Sequence, residues 1–160
     1  PFDADHTAAA KKWDTHPGGE GPEDYYRIPL GEATVAAPGD DLTLLAWATM
    51  VHAAQAAAAP SPTSCEVIDL LSVSPIDYDH INESVQKTHR LIVVDEDTPV
   101  CSLASELCAR VAEEVFDYLD APPSRVTSPH TPVPYSRAME NEYMPNETRV
   151  IATVKKLINR

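Results

Sequence analysis

From Ala33 onward the apolar residues alternate between short runs and longer stretches in which they recur every three or four positions. The runs Leu42–Trp47, Cys65–Leu70 and Leu91–Val94 suit strands covered on both faces. Shorter strands are predicted at Ala33–Ala36, closed by the turn residues Pro38-Gly39-Asp40, and at Ser124–Thr127. Between them lie helical patterns. Met50–Ala59 is alanine-rich and stopped by Pro60. Asp77 opens a second helix, where its carboxylate can cap the free amides of the first turn. Ile76 and Ile81 stand at the two positions of a hydrophobic staple. Lys87, His89 and Arg90 crowd the far end of that helix, where positive charge suits the helix dipole. Ser102–Leu119 is the most regular pattern. It has an inward face of Leu103, Leu107, Val111, Val115 and Leu119, flanked by Ala104, Cys108, Ala112 and Phe116. Proline-rich residues 129–134 read as an extended loop. Asn146–Ile158 reads as a terminal helix with Val150, Ile151, Val154, Leu157 and Ile158 inward.

Strands that alternate with helices build a mostly parallel sheet with helices on both faces. The expected fold is a three-layer α/β/α sandwich of five strands. The first strand follows no crossover helix, so it is expected to lie antiparallel at an edge. The expected division is a linker or arm over residues 1–25 and one domain over 26–160. The first segment holds Pro1, Pro17, Gly18, Gly19, Gly21 and Pro22 with six acids and two lysines, and no helical or strand period. Its Gly18-Gly19-Glu20-Gly21 run follows no strand and opens no helix, so it reads as linker rather than as a phosphate loop.

Charge narrows the partners. Twelve basic against 25 acidic residues give a net charge of −13. Nucleic acid and anionic membranes would be repelled, and a basic protein partner is favoured, although a halophilic or simply acidic source would give the same charge. No run of 18 apolar residues is present, as a membrane-spanning helix would require. The three cysteines, Cys65, Cys101 and Cys108, include no C-x-x-C pair, which argues against a disulfide framework or zinc site. A reducing compartment is expected: the cytoplasm, or the mitochondrial matrix of a eukaryote. The start at Pro1, without an initiator Met, is expected of a piece of a longer protein.

Candidate catalytic groups weigh out weakly. Asp69 and Asp95-Glu96-Asp97 end parallel strands, where ligands of open α/β sheets bind and where carboxylates can hold Mg²⁺. A phosphoacceptor site of that kind would also want a Lys after the last strand, and Thr127-Ser128-Pro129 stands there. A solvated acidic loop is the better reading. Asp77, Asp79 and His80 are explained by helix capping rather than metal binding. His52 reads as a packed or surface histidine, and His6, His16, His89 and His130 fall in arms, helix ends and loops. Cys101 precedes a helix, where a thiolate can be stabilised, but no partner His is near it in sequence. Cys108 lies on the apolar face and reads as core. The residues therefore predict no catalytic, cofactor-binding or metal-binding constellation.

Several segments, in order, resemble the C-terminal domain of 2-oxo acid dehydrogenase beta subunits. They are the junction Asp24–Ala33, Pro38–Leu45, Glu66–Leu70 followed by Ser74-Pro75-Ile76-Asp77, Arg90–Glu96, Phe116–Pro122, Thr131–Tyr135 and Val154–Leu157. The set spans about residues 24–158. Two positions depart from the family pattern: Leu71 replaces a common Arg, and Pro99–Leu103 replaces a glycine-rich stretch. The resemblance implies a transketolase C-terminal-like domain, with a five-stranded mixed sheet, that is itself non-catalytic. It implies that the complete enzyme uses thiamine diphosphate and Mg²⁺ to decarboxylate a 2-oxo acid oxidatively and to acylate a lipoyl group. It further implies that this segment contributes to a beta–beta homodimer contact. Its other partners would be an alpha subunit, or fused alpha region, and a small basic binding domain of the acyltransferase core. Asp117 and Asp120, just past the face of the long helix, are the candidate partner-binding residues; the alternative is that these acids form only a solvated surface. The alternative is a stand-alone, non-enzymatic binding module of the same fold.

Overall fold

The computed structural model describes residues 28–159, so the arm assigned to residues 1–25 lies outside the described residues. In chain order the elements are β1 (Thr34–Ala37), β2 (Leu42–Ala46), α1 (Thr49–Ala58), β3 (Cys65–Asp69), α2 (Tyr78–Thr88), β4 (Leu91–Val94), α3 (Leu103–Glu114), a 3-10 turn (Phe116–Tyr118), β5 (Ser124–Val126), α4 (Arg137–Tyr143) and α5 (Glu147–Ile158). The strands form one sheet in the order β1-β3-β2-β4-β5. Strand β1 pairs antiparallel with β3, and every other pairing is parallel. The mixed five-stranded sheet and its antiparallel edge are as the residue pattern predicts.

Alternation along the central strands sorts the core into two layers. Leu42, Leu44 and Ala46 of β2, Val67 of β3 and Ile92 and Val94 of β4 meet Met50, Val51, Ala54 and Ala57 of α1 and Val150, Val154 and Leu157 of α5. Leu45, Ile68, Leu91 and Val93 point the other way, against Ile81 and Val85 of α2 and Ala104, Leu107 and Val111 of α3. Each large aliphatic side chain wholly buried in this way contributes roughly 1.5–3 kcal/mol. The alanines of α1 leave room for α5 to pack beside it on the same face.

Four helices, α2 to α5, are capped by a side chain just ahead of their first turn. Asp77 Oδ1 accepts from His80 N at 3.1 Å, and its other oxygen accepts from Ala33 N at 2.8 Å. One carboxylate thus starts α2 and fastens the lead-in to β1. The staple forms: Ile81 is buried and Ile76 packs against the same cluster. Ser102 caps α3, and Asn146 caps α5. Helix α1 has no side-chain cap; the residue before it, Ala48, takes φ 48° and ψ −131°, a region that favours glycine.

Some expected boundaries move. The long helix does not run from Ser102 to Leu119: it ends at Glu114, and Phe116–Tyr118 form a 3-10 turn. Phe116, expected beside the inward face, is 69% exposed. Leu103 and Leu119 are half-buried at the ends of the stripe, while Leu107, Val111 and Val115 are buried. Ile158, expected inward, lies exposed at the end of α5. Helix α4 falls in a stretch that carries no periodic apolar signal, since only Tyr143 of its seven residues is buried. It is held by Ser136, which caps it, and by Tyr143 Oη, which donates to Thr131 O at 3.2 Å.

Candidate functional site

The carboxyl ends of the parallel strands are the first place to look for chemistry. Asp95 is buried at the end of β4, and its oxygens accept from Asp97 N at 3.0 Å and Ala104 N at 3.4 Å. Burial pushes its carboxyl above the ordinary Asp range, and these two amides pull it partly back. Asp69 accepts from Leu71 N, and Asp97 from Thr98 N. These carboxylates brace their own loops, and Glu96 points to solvent. Among the described residues, no group of three or more His, Cys, Asp and Glu side chains is placed to hold a metal ion. His52 and His130 are exposed. Cys101 is exposed, and Cys108, expected in the core, is half-buried with its thiol pushed up to about 11 by burial.

The turn after α3 carries the two acids singled out as partner-binding. Two short backbone bonds shape it, Tyr118 N to Val115 O and Leu119 N to Phe116 O, both 3.0 Å. It is tied to the end of α2 and the start of β4 by three contacts. Asp120 N donates to His89 O at 2.9 Å. His89 Nδ1 lies 2.9 Å from Tyr118 O. Arg90 Nη2 stands 3.0 Å from Asp120 Oδ2. His89 caps α2 in the left-handed conformation, φ 61°, which turns the chain so that His89 and Arg90 both meet the turn.

The two acids thus differ. Asp117 is exposed and makes no ion pair among the described residues, whereas Asp120 is engaged by Arg90. Between and beside them, Phe116 and Tyr118 are 69% and 48% exposed. Helical spacing hid these two rings by continuing α3 through them. The signal that could have found them is chemical: β-branched and aromatic residues with acids at a helix C-terminus are poor helix continuers, because negative charge there opposes the dipole. One turn earlier, Glu114 pairs with Arg110 and accepts from Asn82 Nδ2 at 2.6 Å. The Arg110 and Asn82 hydrogen bonds hold the Glu114 carboxyl below the usual range.

Residues 31–150 match the family described as transketolase, C-terminal domain. The chain belongs to this family. It is 46% identical over 143 residues to the acetoin:2,6-dichlorophenolindophenol oxidoreductase subunit beta of Bacillus subtilis, covering 88% of this chain and 42% of that protein. It is 40% identical over 158 residues to the 2-oxoisovalerate dehydrogenase subunit beta of Pseudomonas aeruginosa, covering 99% of this chain and 45% of that protein. A solved chain described as a split gene transketolase, inactive beta4 tetramer, superposes with a TM-score of 0.73 at 25% identity, covering 89% of this chain and 46% of that one. This transketolase C-terminal domain therefore spans less than half the length of these relatives. The likeness to dehydrogenase beta subunits agrees with the ordered segments that carried the resemblance. No described helix is long and apolar enough to cross a membrane.

Proposed function

We propose that this chain is the C-terminal assembly domain of a thiamine-diphosphate-dependent 2-oxo acid dehydrogenase beta subunit. The observation that carries the reading is the 46% and 40% identity, over most of this chain, to proteins named as beta subunits of an acetoin oxidoreductase and of 2-oxoisovalerate dehydrogenase. In this reading the complete component oxidatively decarboxylates a 2-oxo acid and acylates a lipoyl group. The cofactor supplies the carbanion chemistry, and its thiamine diphosphate and Mg²⁺ are held outside these 160 residues. The domain contributes a rigid sheet to the beta–beta contact and sits in one component with an alpha subunit. Its acidic turn, with Asp117 and Asp120, docks a basic binding domain of the acyltransferase core. The net charge of −13 supports that last step, since opposite charge steers association.

Two measurements test the reading. The component assembled from the complete beta subunit and its alpha subunit should reduce 2,6-dichlorophenolindophenol when given thiamine diphosphate, Mg²⁺ and a 2-oxo acid or acetoin. Failure with pyruvate, branched-chain 2-oxo acids and acetoin alike would overturn it. Calorimetry on the isolated chain should show no tight binding of thiamine diphosphate with Mg²⁺. Micromolar affinity there would place cofactor-binding residues in this domain and refute the division of labour.

A further inference from the structure

Between β5 and α5 the chain makes an excursion that leans on little else. From Pro129 to Glu142 every residue is exposed except half-buried Pro134, and helix α4 lies within this stretch. Among the described residues, Arg137, Glu140 and Glu142 enter no ion pair. The hydrogen bonds of the segment close within it or on the two residues that follow. Thr131 N donates to Pro129 O, Met139 N to Ser136 Oγ and Met144 N to Glu140 O, and Thr131 O accepts from Tyr143 Oη. A segment that buries little and bonds mainly to itself sits at the low end of local stability.

Its two ends are held by one side chain. Arg149, in the first turn of α5, donates from Nη2 to Thr127 O, just past β5, and from Nη1 to Tyr143 O at 3.2 Å, where α4 ends. The planar fork of a guanidinium can reach two carbonyls at once, so it closes the loop of residues 127–143. At the base, Ser128 is 1% exposed and its amide donates to Asp97 O at 3.0 Å, but its Oγ has no partner among the described residues. A buried hydroxyl without a partner disfavours the closed state, because opening gives it water.

We propose that residues 129–142 are a strap that opens as one unit, with Arg149 as its latch, while the sheet and α5 stay closed. Arg149 is a positioning residue that acts by pinning both ends. The strap starts at the carboxyl end of β5, beside the loop after β4, where open α/β sheets take their ligands. Its opening changes what that end of the sheet presents.

The test is native-state hydrogen exchange of the complete beta subunit, read by peptide mass spectrometry. Peptides covering residues 135–144 should exchange together, at least about a hundredfold faster than those of β4 and α5. Arg149→Gln should speed them by a further factor of about ten and leave β4 and α1 unchanged. Arg149→Lys should do the same, since a single amine lacks the fork that spans both carbonyls. Ser128→Ala should slow them by about threefold, because the closed state then holds no unpaired hydroxyl. Exchange of 135–144 as slow as that of α5 would overturn the strap. Wild-type exchange in Arg149→Lys would overturn the latch, and equal acceleration of every element in both arginine variants would make Arg149 merely structural. Should the arginine variants fail to fold, Ser128→Ala decides alone: slower exchange supports the strap and unchanged exchange overturns it.

Discussion

Glu66 Oε2 accepts a 2.6 Å hydrogen bond from Ser84 Oγ, beneath α2 and out of reach of bulk water. Thr43 Oγ1 stands 2.7 Å from the hydroxyls of both Ser84 and Thr88, and Lys87 closes the far side of the carboxylate. These are the inward positions of β2 and β3 that carry polar residues on the α2 face. A carboxylate is tolerated there because several partners replace its water shell.

Ser84→Ala removes one of those partners and leaves the buried carboxylate short of a hydrogen bond. The expected loss is about 2 kcal/mol of stability. Urea unfolding with an unchanged slope would measure it. An unshifted midpoint would show that the network re-forms without the hydroxyl.

Ala48 joins β2 to α1 at φ 48° and ψ −131°, a conformation in which a Cβ is crowded. Ala48→Gly should therefore stabilise the domain by about 1 kcal/mol, because the gain at this angle outweighs the added entropy of the unfolded chain. Thermal melting is the check, and a lowered melting temperature would contradict the strain argument.

Gly39 lies against β3. A Cβ there would stand 2.1 Å from the Cys65 carbonyl carbon and 2.3 Å from the Glu66 nitrogen. Backbone cannot swing aside as a side chain can. Gly39→Ala should cost at least about 2 kcal/mol, seen as a lower urea midpoint. A melting curve matching wild type would mean that the β1–β2 turn shifts freely.

Leu107 is wholly buried between α3 and the sheet. Leu107→Asp would bury an unpaired charge, so the expected cost is at least about 3 kcal/mol, enough to prevent folding in many domains. A soluble variant with an unchanged circular dichroism melt would remove that face of α3 from the core.

The thiols should separate by pH. Burial pushes Cys108 up to about 11 and raises Cys65 as well, so both favour the unreactive thiol over the thiolate. Cys101 is exposed. Iodoacetamide at about pH 8 should label Cys101 first, with Cys108 reacting only under strongly alkaline or unfolding conditions. Peptide mass spectrometry reads the order, and equal labelling of Cys101 and Cys108 at that pH would contradict their placement.

Local chemistry made much of the fold legible. Asp77 with Ile76 and Ile81 marks the start of α2, because capping and stapling act between residues a few positions apart. The continuous runs at Leu42 and Leu91 mark strands covered on both faces. The acids of the turn after α3 were visible as charges, but their roles were not, because Arg90 lies 30 positions from Asp120 in the chain.

The sequence by itself determined the layer order, since period-two and period-3.6 apolar patterns each have one way to bury their faces. Tertiary structure decided where α3 stops and what its last residues do. Phe116 keeps the spacing of an inward residue. The backbone leaves the helix at Glu114 and is drawn toward His89 and Arg90, and the ring goes to solvent. Likewise, nothing near Thr43 or Glu66 in the chain says that polar side chains can be buried there. That depends on Ser84, Lys87 and Thr88 arriving from α2, and such non-local pairing is settled only when the whole sheet and its helices come together.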